Sequence, residues 1–431
     1  MMRILLISPL PRHKFRHRNL HLPQLSLPIL AGLTPPEHAI EIAEEPWDEV
    51  DVNGDYDLVG ITTMTATAPR AYELARTFRA RGVKTILGGI HPTSLPDEAI
   101  EYADSVVIGE AENVWADVLN DAANNRLKKF YQGGFPLLEN APMPRRDLIK
   151  RRSGRMGLAP VETSRGCPYG CDFCTVTRFF GRRLRHKPVK DVMADIATVK
   201  EKNLLFLDDN IVGDRKYARD LFRELKHMGK GWVGQSAINI VKDRELLKLA
   251  ADSGCGGLLV GLESVSTKEI TRYKKNLKTR HEIKEAVKML QDVGILVLPS
   301  VIFGFDSDGP SIFEETAEFL LDCRVPFAQF VLLTPFPGTK TRADLEKENR
   351  ITSHDWGRYD NLKLVFRPAG MTAERMVEGF DWIRTEFYSV PSMVKRFWAN
   401  RSHPLLYFSV NLGFRKFERD TPPPDPASSS P

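Results

Sequence analysis

Cys167, Cys171 and Cys174 stand in the stretch 163–174, Thr-Ser-Arg-Gly-Cys-Pro-Tyr-Gly-Cys-Asp-Phe-Cys, as a C-x3-C-x2-C array. Three of the chain's five cysteines thus fall within eight residues. Gly166 and Gly170 permit unusual backbone angles and Pro168 stiffens the start of the loop, which suits a segment wrapped around a compact object. Three thiolates converging there point to a metal centre. Structural zinc normally takes four ligands, usually as two separated pairs, and no second Cys/His pair with that spacing lies nearby. Separate disulfides fit poorly into eight residues of a cysteine-poor chain. An iron–sulfur cluster remains. With three protein thiolates, a cubane leaves one iron open to an exogenous ligand, which makes it a reaction site.

With Phe173 directly before the last cysteine, the array resembles the signature of the radical S-adenosylmethionine superfamily. The resemblance implies that Cys167, Cys171 and Cys174 hold a [4Fe–4S] cluster and that Phe173 lies against the adenine of S-adenosylmethionine. It also implies that the open iron chelates the amino and carboxylate groups of that cofactor. An electron from an external donor such as flavodoxin or ferredoxin then yields a 5′-deoxyadenosyl radical.

Beyond the cysteine loop, strand-like runs at 160–162, 204–207, 232–235, 257–261, 296–302 and 329–333 alternate with helical patterns at 189–201, 214–227, 243–251, 279–292 and 310–322. Six β/α repeats predict an open, partial TIM-like barrel with its functional groups at the carboxyl ends of the strands. Those ends carry Asp208, Asp209 and Asn210, then Gln235 and Ser236, then Gly261 to Ser264, then Gly304, then 334–339. By position, Asp208, Asp209, Gln235, Ser236, Glu263, Ser264 and Gly304 resemble the family's S-adenosylmethionine contacts. The usual Gly-Gly-Glu after the second strand is absent. Asp208 or Asp209 is the substitute for the amino-group contact, and either could instead cap the next helix. Glu263 matches in type as well as position.

Ahead of the barrel, the apolar run 2–8 and strand-like segments 58–62, 85–88 and 105–108, separated by helical stretches 68–81 and 97–102, predict a doubly wound, Rossmann-like α/β unit. Its strand ends bring together Thr62, Thr63, Met64 and Thr65, then Gly88, Gly89 and His91, then Gly109 and Glu110. These tips, following the Pro/Leu-rich stretch 22–32, resemble the cobalamin-binding domain of one branch of the superfamily and are its expected cobalamin contacts. The string Asp-x-His-x-x-Gly, whose histidine ligates cobalt elsewhere, does not occur. His91 is an alternative ligand or a loop residue making a backbone bond, and a cofactor-free Rossmann-like domain is the bland reading.

The stretch from Gln132 to Leu158 reads as a linker whose basic residues are solvated. The basic runs 178–187 and 272–281 read as solvated or as contacts to cofactor anions, since neither extends into a stripe, and no nucleic-acid partner is expected. Cys255 and Cys323 read as core fillers. The 346–420 segment leaves the barrel rhythm and carries exposed-looking aromatics. It reads as a cover for the barrel mouth, an amphipathic cap or a peripheral membrane contact, and 421–431 as a disordered Pro/Ser tail. A net charge of +5 and 42% hydrophobic content describe an ordinary globular chain. No signal peptide or membrane-length apolar run is read, which implies the cytoplasm.

The expected organisation is therefore a cobalamin-binding α/β domain over 1–135, a linker over 136–158, the radical core over 159–345, a helical extension over 346–420 and the tail. The expected activity is methylation of an unactivated carbon of a small or lipid-like molecule. The rivals are a non-methylating cyclase, rearrangement or coupling enzyme, and a cofactor-binding sensor.

Overall fold

The structure, a computed structural model, describes residues 1–11, 24–45, 47–149, 157–272, 279–398, 400 and 404–420. The tail 421–431, the centre of the 272–281 basic run, part of the linker and Leu22 and Pro23 lie outside the described residues.

The first sheet is wholly parallel. It comprises β1 (Arg3–Ser8), β2 (Ala39–Glu44), β3 (Leu58–Thr62), β4 (Lys84–Gly88), β5 (Ser105–Gly109) and β6 (Phe130–Gly134), in the order β2-β1-β3-β4-β5-β6. A continuous apolar strand can serve two cores at once because successive side chains point to opposite faces. In β1, Leu5 and Ile7 pack with Val59, Ile61 and Phe78, whereas Ile4 and Leu6 pack on the other face with Leu58 and Trp115. The order reverses between β1 and β3, which opens a crevice at the carboxyl ends there.

Two strands of this sheet are not evident from composition. β2 is an edge strand whose first half is exposed. β6 contains Gly133 and Gly134, which by composition read as part of the linker. A Cβ on Gly133 would stand 1.7 Å from the Glu110 carbonyl oxygen, so glycine is what lets β6 close on β5. The helix expected at 97–102 is instead two short helices, Ile90–Ser94 and Pro96–Ala99, the second starting on a proline suited to a first turn.

The second sheet starts at β7 (Leu158–Val161). A two-residue hairpin pair, β8 (Ser164–Arg165) and β9 (Arg185–His186), brackets the cysteine loop. There follow β10 (Asn203–Phe206), β11 (Gly231–Ser236), β12 (Cys255–Glu263), β13 (Leu296–Phe303) and β14 (Gln329–Leu332), parallel and in simple chain order, as in an opened half-barrel. The connecting helices begin where side-chain caps satisfy free N–H groups. Asp214 accepts from the amides of Lys216 and Tyr217, and Thr279 and Glu282 form a reciprocal box. Cys255 and Cys323 are buried in this core.

The three helices of the C-terminal segment lie away from the barrel mouth, whereas Phe366 ahead of them packs against the Gly304 tip. The segment's first part stays near the carboxyl ends, where Leu332 N–H donates to the Asn361 carbonyl. The helices Ala373–Phe387, Val390–Phe397 and Pro404–Asp420 then turn to the other end. Tyr388 Oη bonds the backbone of Ala328, Arg396 donates to the carbonyls of Val325 and Pro326, and Asn400 donates to that of Arg324. All four carbonyls precede β14, and orphan acceptors at an amino-terminal strand edge are what draw these polar side chains there.

Candidate active site between two strand-end edges

The cysteine loop is anchored from beneath by one carboxylate. Asp208, fully buried after β10, accepts from Thr163 N (3.1 Å), Thr163 Oγ1 (2.6 Å) and Ser164 Oγ (2.5 Å). Both of its oxygens are thereby committed to the strand that launches the loop. Asp208 is thus a scaffold, and its oxygens are engaged by the loop instead of facing the amino group expected of it. The loop is held further by Cys167 N–H to Gly181 O, by Thr341 N–H to Asp172 O, and by Arg272 on Asp172 at 2.7 Å. Gly166 sits at φ +99°, and a Cβ there would stand 2.7 Å from Arg183 O.

Cys167, Cys171 and Cys174 form no disulfide and are part-exposed. Burial pushes the Cys174 thiol up to about 11, and the negative groups Asp209, Cys167 and Glu263 within its reach add to this. A thiol so placed ionises only with a cation beside it. Among the described residues, no three His, Cys, Asp or Glu side chains converge tightly enough for a single metal ion. A four-iron cluster instead takes each thiolate on a different iron. The donor set therefore fits a cluster.

Around it lie the other barrel tips. Phe173 is part-buried, its ring 5.9 Å from that of Phe305. Asp209 accepts from the Gly166 amide, and burial, with Asp208 and Glu162, pushes its carboxyl up to about 7. Glu263 has φ +66° at a bulge between β12 and β13, a left-handed conformation that costs a non-glycine residue free energy and re-aims its side chain. Gln235 is exposed, whereas Ser236 is buried with its hydroxyl on the Ala237 carbonyl. Ser264 is buried and caps Ser266 N–H. Gly304 has φ +112°, and Asp308 holds its amide.

On the facing edge, Met64 is 58% exposed beside the part-exposed Thr62, Gly88 and Gly89. Gly89 has φ +104°, and a Cβ there would crowd Thr63 O at 2.8 Å. A small, open tip with one projecting thioether fits a broad flat cofactor. Thr63 and Thr65 are buried, and Gly109 N–H is held by Thr93 Oγ1.

Two expected cobalamin contacts are otherwise engaged. The His91 ring is fully buried, with Nε2 3.0 Å from Tyr72 Oη and its edge against Trp356. Glu98 completes that network, accepting from Tyr72 Oη and from Trp356 Nε1. A side chain that touched a cofactor would face open space, and His91 faces none. Glu110 lies in a buried ion cluster. It meets Arg165 at 2.5 Å and Arg185 at 2.5 Å, while Arg165 also pairs with Glu112 and Glu162, and Lys187 with Glu162. The cluster corrects two further readings, since Arg185 and Lys187 of the basic run are neither solvated nor aimed at a cofactor anion. Arg146 of the linker likewise pairs with the buried Asp195. No local signal marks the partners of Glu110 and Arg146, because each comes from a distant stretch of chain. The Glu98 network ties the first unit to the chain at Trp356, and the Glu110 network ties the carboxyl end of β5 to the β8–β9 pair that brackets the cysteine loop.

Comparison with known proteins agrees with this arrangement. Residues 161–320 match the family model of the radical SAM superfamily, and residues 36–119 match that of the B12 binding domain. The chain is 31% identical to the bacteriochlorophyllide d C-8(2)-methyltransferase of Chlorobaculum tepidum, over 80% of each chain. It is 29% identical to the C-12(1)-methyltransferase of the same organism, over 85% of this chain and 82% of that one. The radical S-adenosylmethionine methyltransferase TsrM of Kitasatospora setae superposes with a TM-score of 0.69 at 17% identity, covering 88% of both chains.

Proposed function

Since the chain belongs to the radical S-adenosylmethionine superfamily, in the branch with a cobalamin-binding domain, we propose that it methylates an unactivated alkyl carbon on an apolar, ring-bearing small molecule of the tetrapyrrole class. The observation that carries this reading is the pairing of Glu110, at one strand-end edge, with Arg165 and Arg185, which flank the cysteine loop at a second strand-end edge. The cysteines, Asp209 and Glu263 lie on the second. Thr62, Met64, Gly88 and Gly89 lie on the first. In this reading residues 1–135 hold cobalamin and 159–345 hold the cluster and S-adenosylmethionine.

When bound, the cluster with S-adenosylmethionine supplies a hydrogen-abstracting radical and cobalamin supplies the methyl group. The chain's own residues do the positioning. Cys167, Cys171 and Cys174 hold the cluster, and Asp208 fixes the height of their loop. Asp209 and Glu263 offer carboxylates to the amino group and ribose of S-adenosylmethionine, and Phe173 packs on its adenine. Met64 and the glycines beside it support the corrin face without a histidine ligand. The ion cluster around Arg165 keeps the two edges at one separation, so that a substrate between them meets both and water is displaced. A one-electron donor such as flavodoxin or ferredoxin completes the cycle. The similarity to two bacteriochlorophyllide d methyltransferases supports the substrate class.

The test is anaerobic turnover of the reconstituted, reduced enzyme with a bacteriochlorophyllide and methyl-labelled S-adenosylmethionine. The expected product is one methylene heavier and labelled, with 5′-deoxyadenosine and S-adenosylhomocysteine both accumulating. A transformed but unlabelled product with deoxyadenosine alone overturns methylation in favour of cyclisation or rearrangement.

A further inference from the structure

The last two described helices are built inside out. In Pro404–Asp420 the face turned to the protein carries Tyr407, Asn411, Phe414 and Glu418, spaced four, three and four apart. Tyr407 and Asn411 are buried, Phe414 stacks on Tyr388 at 5.2 Å, and Glu418 pairs with Arg384 at 2.5 Å. The Asn411 amide donates to the carbonyls of Pro326 and Tyr407 and accepts from Arg396. The outward face carries Leu405, Phe408 and Leu412, and Leu405 is 88% exposed. Further along, the same face carries Lys416 and Arg419. The helix before it follows suit: Met393 and Arg396 are buried, whereas Val390, Val394 and the adjoining Trp398 are exposed, Trp398 to 67%. The stripes meet where the Phe397 ring lies 4.9 Å from Phe408 and 5.9 Å from Trp398.

Charge concentrates in the same place. Between Val390 and Asp420 stand Lys395, Arg396, Arg401, Arg415, Lys416 and Arg419 against Glu418 and Asp420, so that four of the chain's net five positive charges fall here. Arg396 is buried on Phe387 and Arg415 bonds Tyr388 O, while Lys395, Lys416 and Arg419 are exposed.

We propose that these two helices form a docking surface for an anionic lipid bilayer, with the apolar stripe in the acyl boundary and Lys395, Lys416 and Arg419 at the headgroups. An amphipathic surface of aromatic and aliphatic side chains rimmed by cations has this partner chemistry. A second copy of the chain would set the same cations against each other. The chain's own tail, Thr-Pro-Pro-Pro-Asp-Pro-Ala-Ser-Ser-Ser-Pro, has no large apolar residue to fill the stripe. Attachment would be peripheral, since no helix among the described residues is long and apolar enough to cross a membrane. The surface adjoins the amino end of β14, so docking leaves the strand-end crevice uncovered. The inference rests on this surface alone and not on the methylation reading.

The experiment is co-sedimentation of the full-length protein with phosphatidylcholine vesicles, with and without phosphatidylglycerol. Binding is expected on the anionic vesicles, at least about tenfold weaker on neutral ones and weakened by salt. The variant Leu405→Glu/Leu412→Glu is expected to partition at least about tenfold less, with unchanged circular dichroism because both side chains are exposed. Absence of binding to anionic vesicles, equal binding to both vesicle types, or equal partitioning of variant and wild type overturns the proposal. So does a dimer in light scattering that the variant abolishes while wild type ignores vesicles, which assigns the face to a second copy.

Discussion

Replacing Arg165 with Met should uncouple the two halves of the molecule. Among the described residues, Arg165 is the one cation that touches Glu110, Glu112 and Glu162 together, and all four side chains are largely buried. Burial acts to raise the Glu162 carboxyl, yet Arg165 and then Lys187 bring it from 4.5 down to about 2. A depression of that size corresponds to about 3 kcal/mol of stabilisation at neutral pH, at 1.36 kcal/mol per pKa unit. Removing one member of a buried ion pair costs about 3–5 kcal/mol in other proteins. Lys187 and Arg185 remain to hold part of the charge, so a loss of about 2–4 kcal/mol is expected at pH 7. The sign with pH follows from the depressed folded-state value. The contribution is complete above about 4.5 and is lost as pH falls toward about 2, so the gap between variant and wild type should narrow by more than half near pH 3. Urea unfolding of the cofactor-free protein, followed by tryptophan emission and circular dichroism, measures this. Wild type should unfold with the two probes coincident and the variant with them separated, since this cluster spans the N-terminal sheet and the barrel. A loss below about 1 kcal/mol at pH 7, or a gap that widens in acid, refutes the reasoning.

Three further outcomes are expected. Asp208→Asn should lower iron and sulfide content after anaerobic reconstitution by at least about half, because charge-assisted bonds to the loop are each worth about 1.5–3 kcal/mol; content equal to wild type would remove Asp208 from its anchoring role. Electron paramagnetic resonance of the Co(II) form should show no nitrogen splitting in wild type or in His91→Asn, and a splitting present only in wild type would make His91 a ligand. Burial pushes the Asp308 carboxyl up to about 7 while Gly304 and Phe305 N–H hold its charged form, so the native state binds the proton more tightly than the unfolded chain. Stability should then fall as pH rises from about 4 to about 7, by up to about 4 kcal/mol. Asp308→Asn should flatten the part of the urea-midpoint curve due to this group, and an unchanged curve would sink the assignment.

What could be read in advance, and what could not, divides by the range of the interaction. The cysteine array, the apolar run of β1 and the alternating strands and helices of the barrel are local patterns, and each is legible in a window of a few residues. The positions of Asp208, His91 and Glu110 at strand tips were legible in the same way. Their occupations were not. Asp208 is taken by Thr163 and Ser164, His91 by Tyr72 with Trp356 against its edge, and Glu110 by Arg165 and Arg185. In each case the partner arrives from a distant part of the chain, and a strand-tip carboxylate aimed at a cofactor looks the same in sequence as one aimed at an arginine. β6 escaped for a different reason. Gly133 is required by how closely Glu110 at the end of β5 approaches and Gly134 by its φ of +67°, and composition alone registers both as linker.

The two networks that join the sheets have a consequence for how this enzyme can be altered. Glu98 and Glu110 belong to the first sheet's unit, but their partners Trp356, Arg165 and Arg185 belong to the chain beyond it. A chimera that exchanges the N-terminal unit for one from a relative would carry the acids of one parent to the cations and indole of another. Any mismatch would leave an unpaired charge at the seam beside the cysteine loop. The two units therefore fit as lock and key: a graft at the linker near residue 136, natural as it looks from composition, cuts through both clamps, whereas a crossover that takes both sides of each keeps them paired.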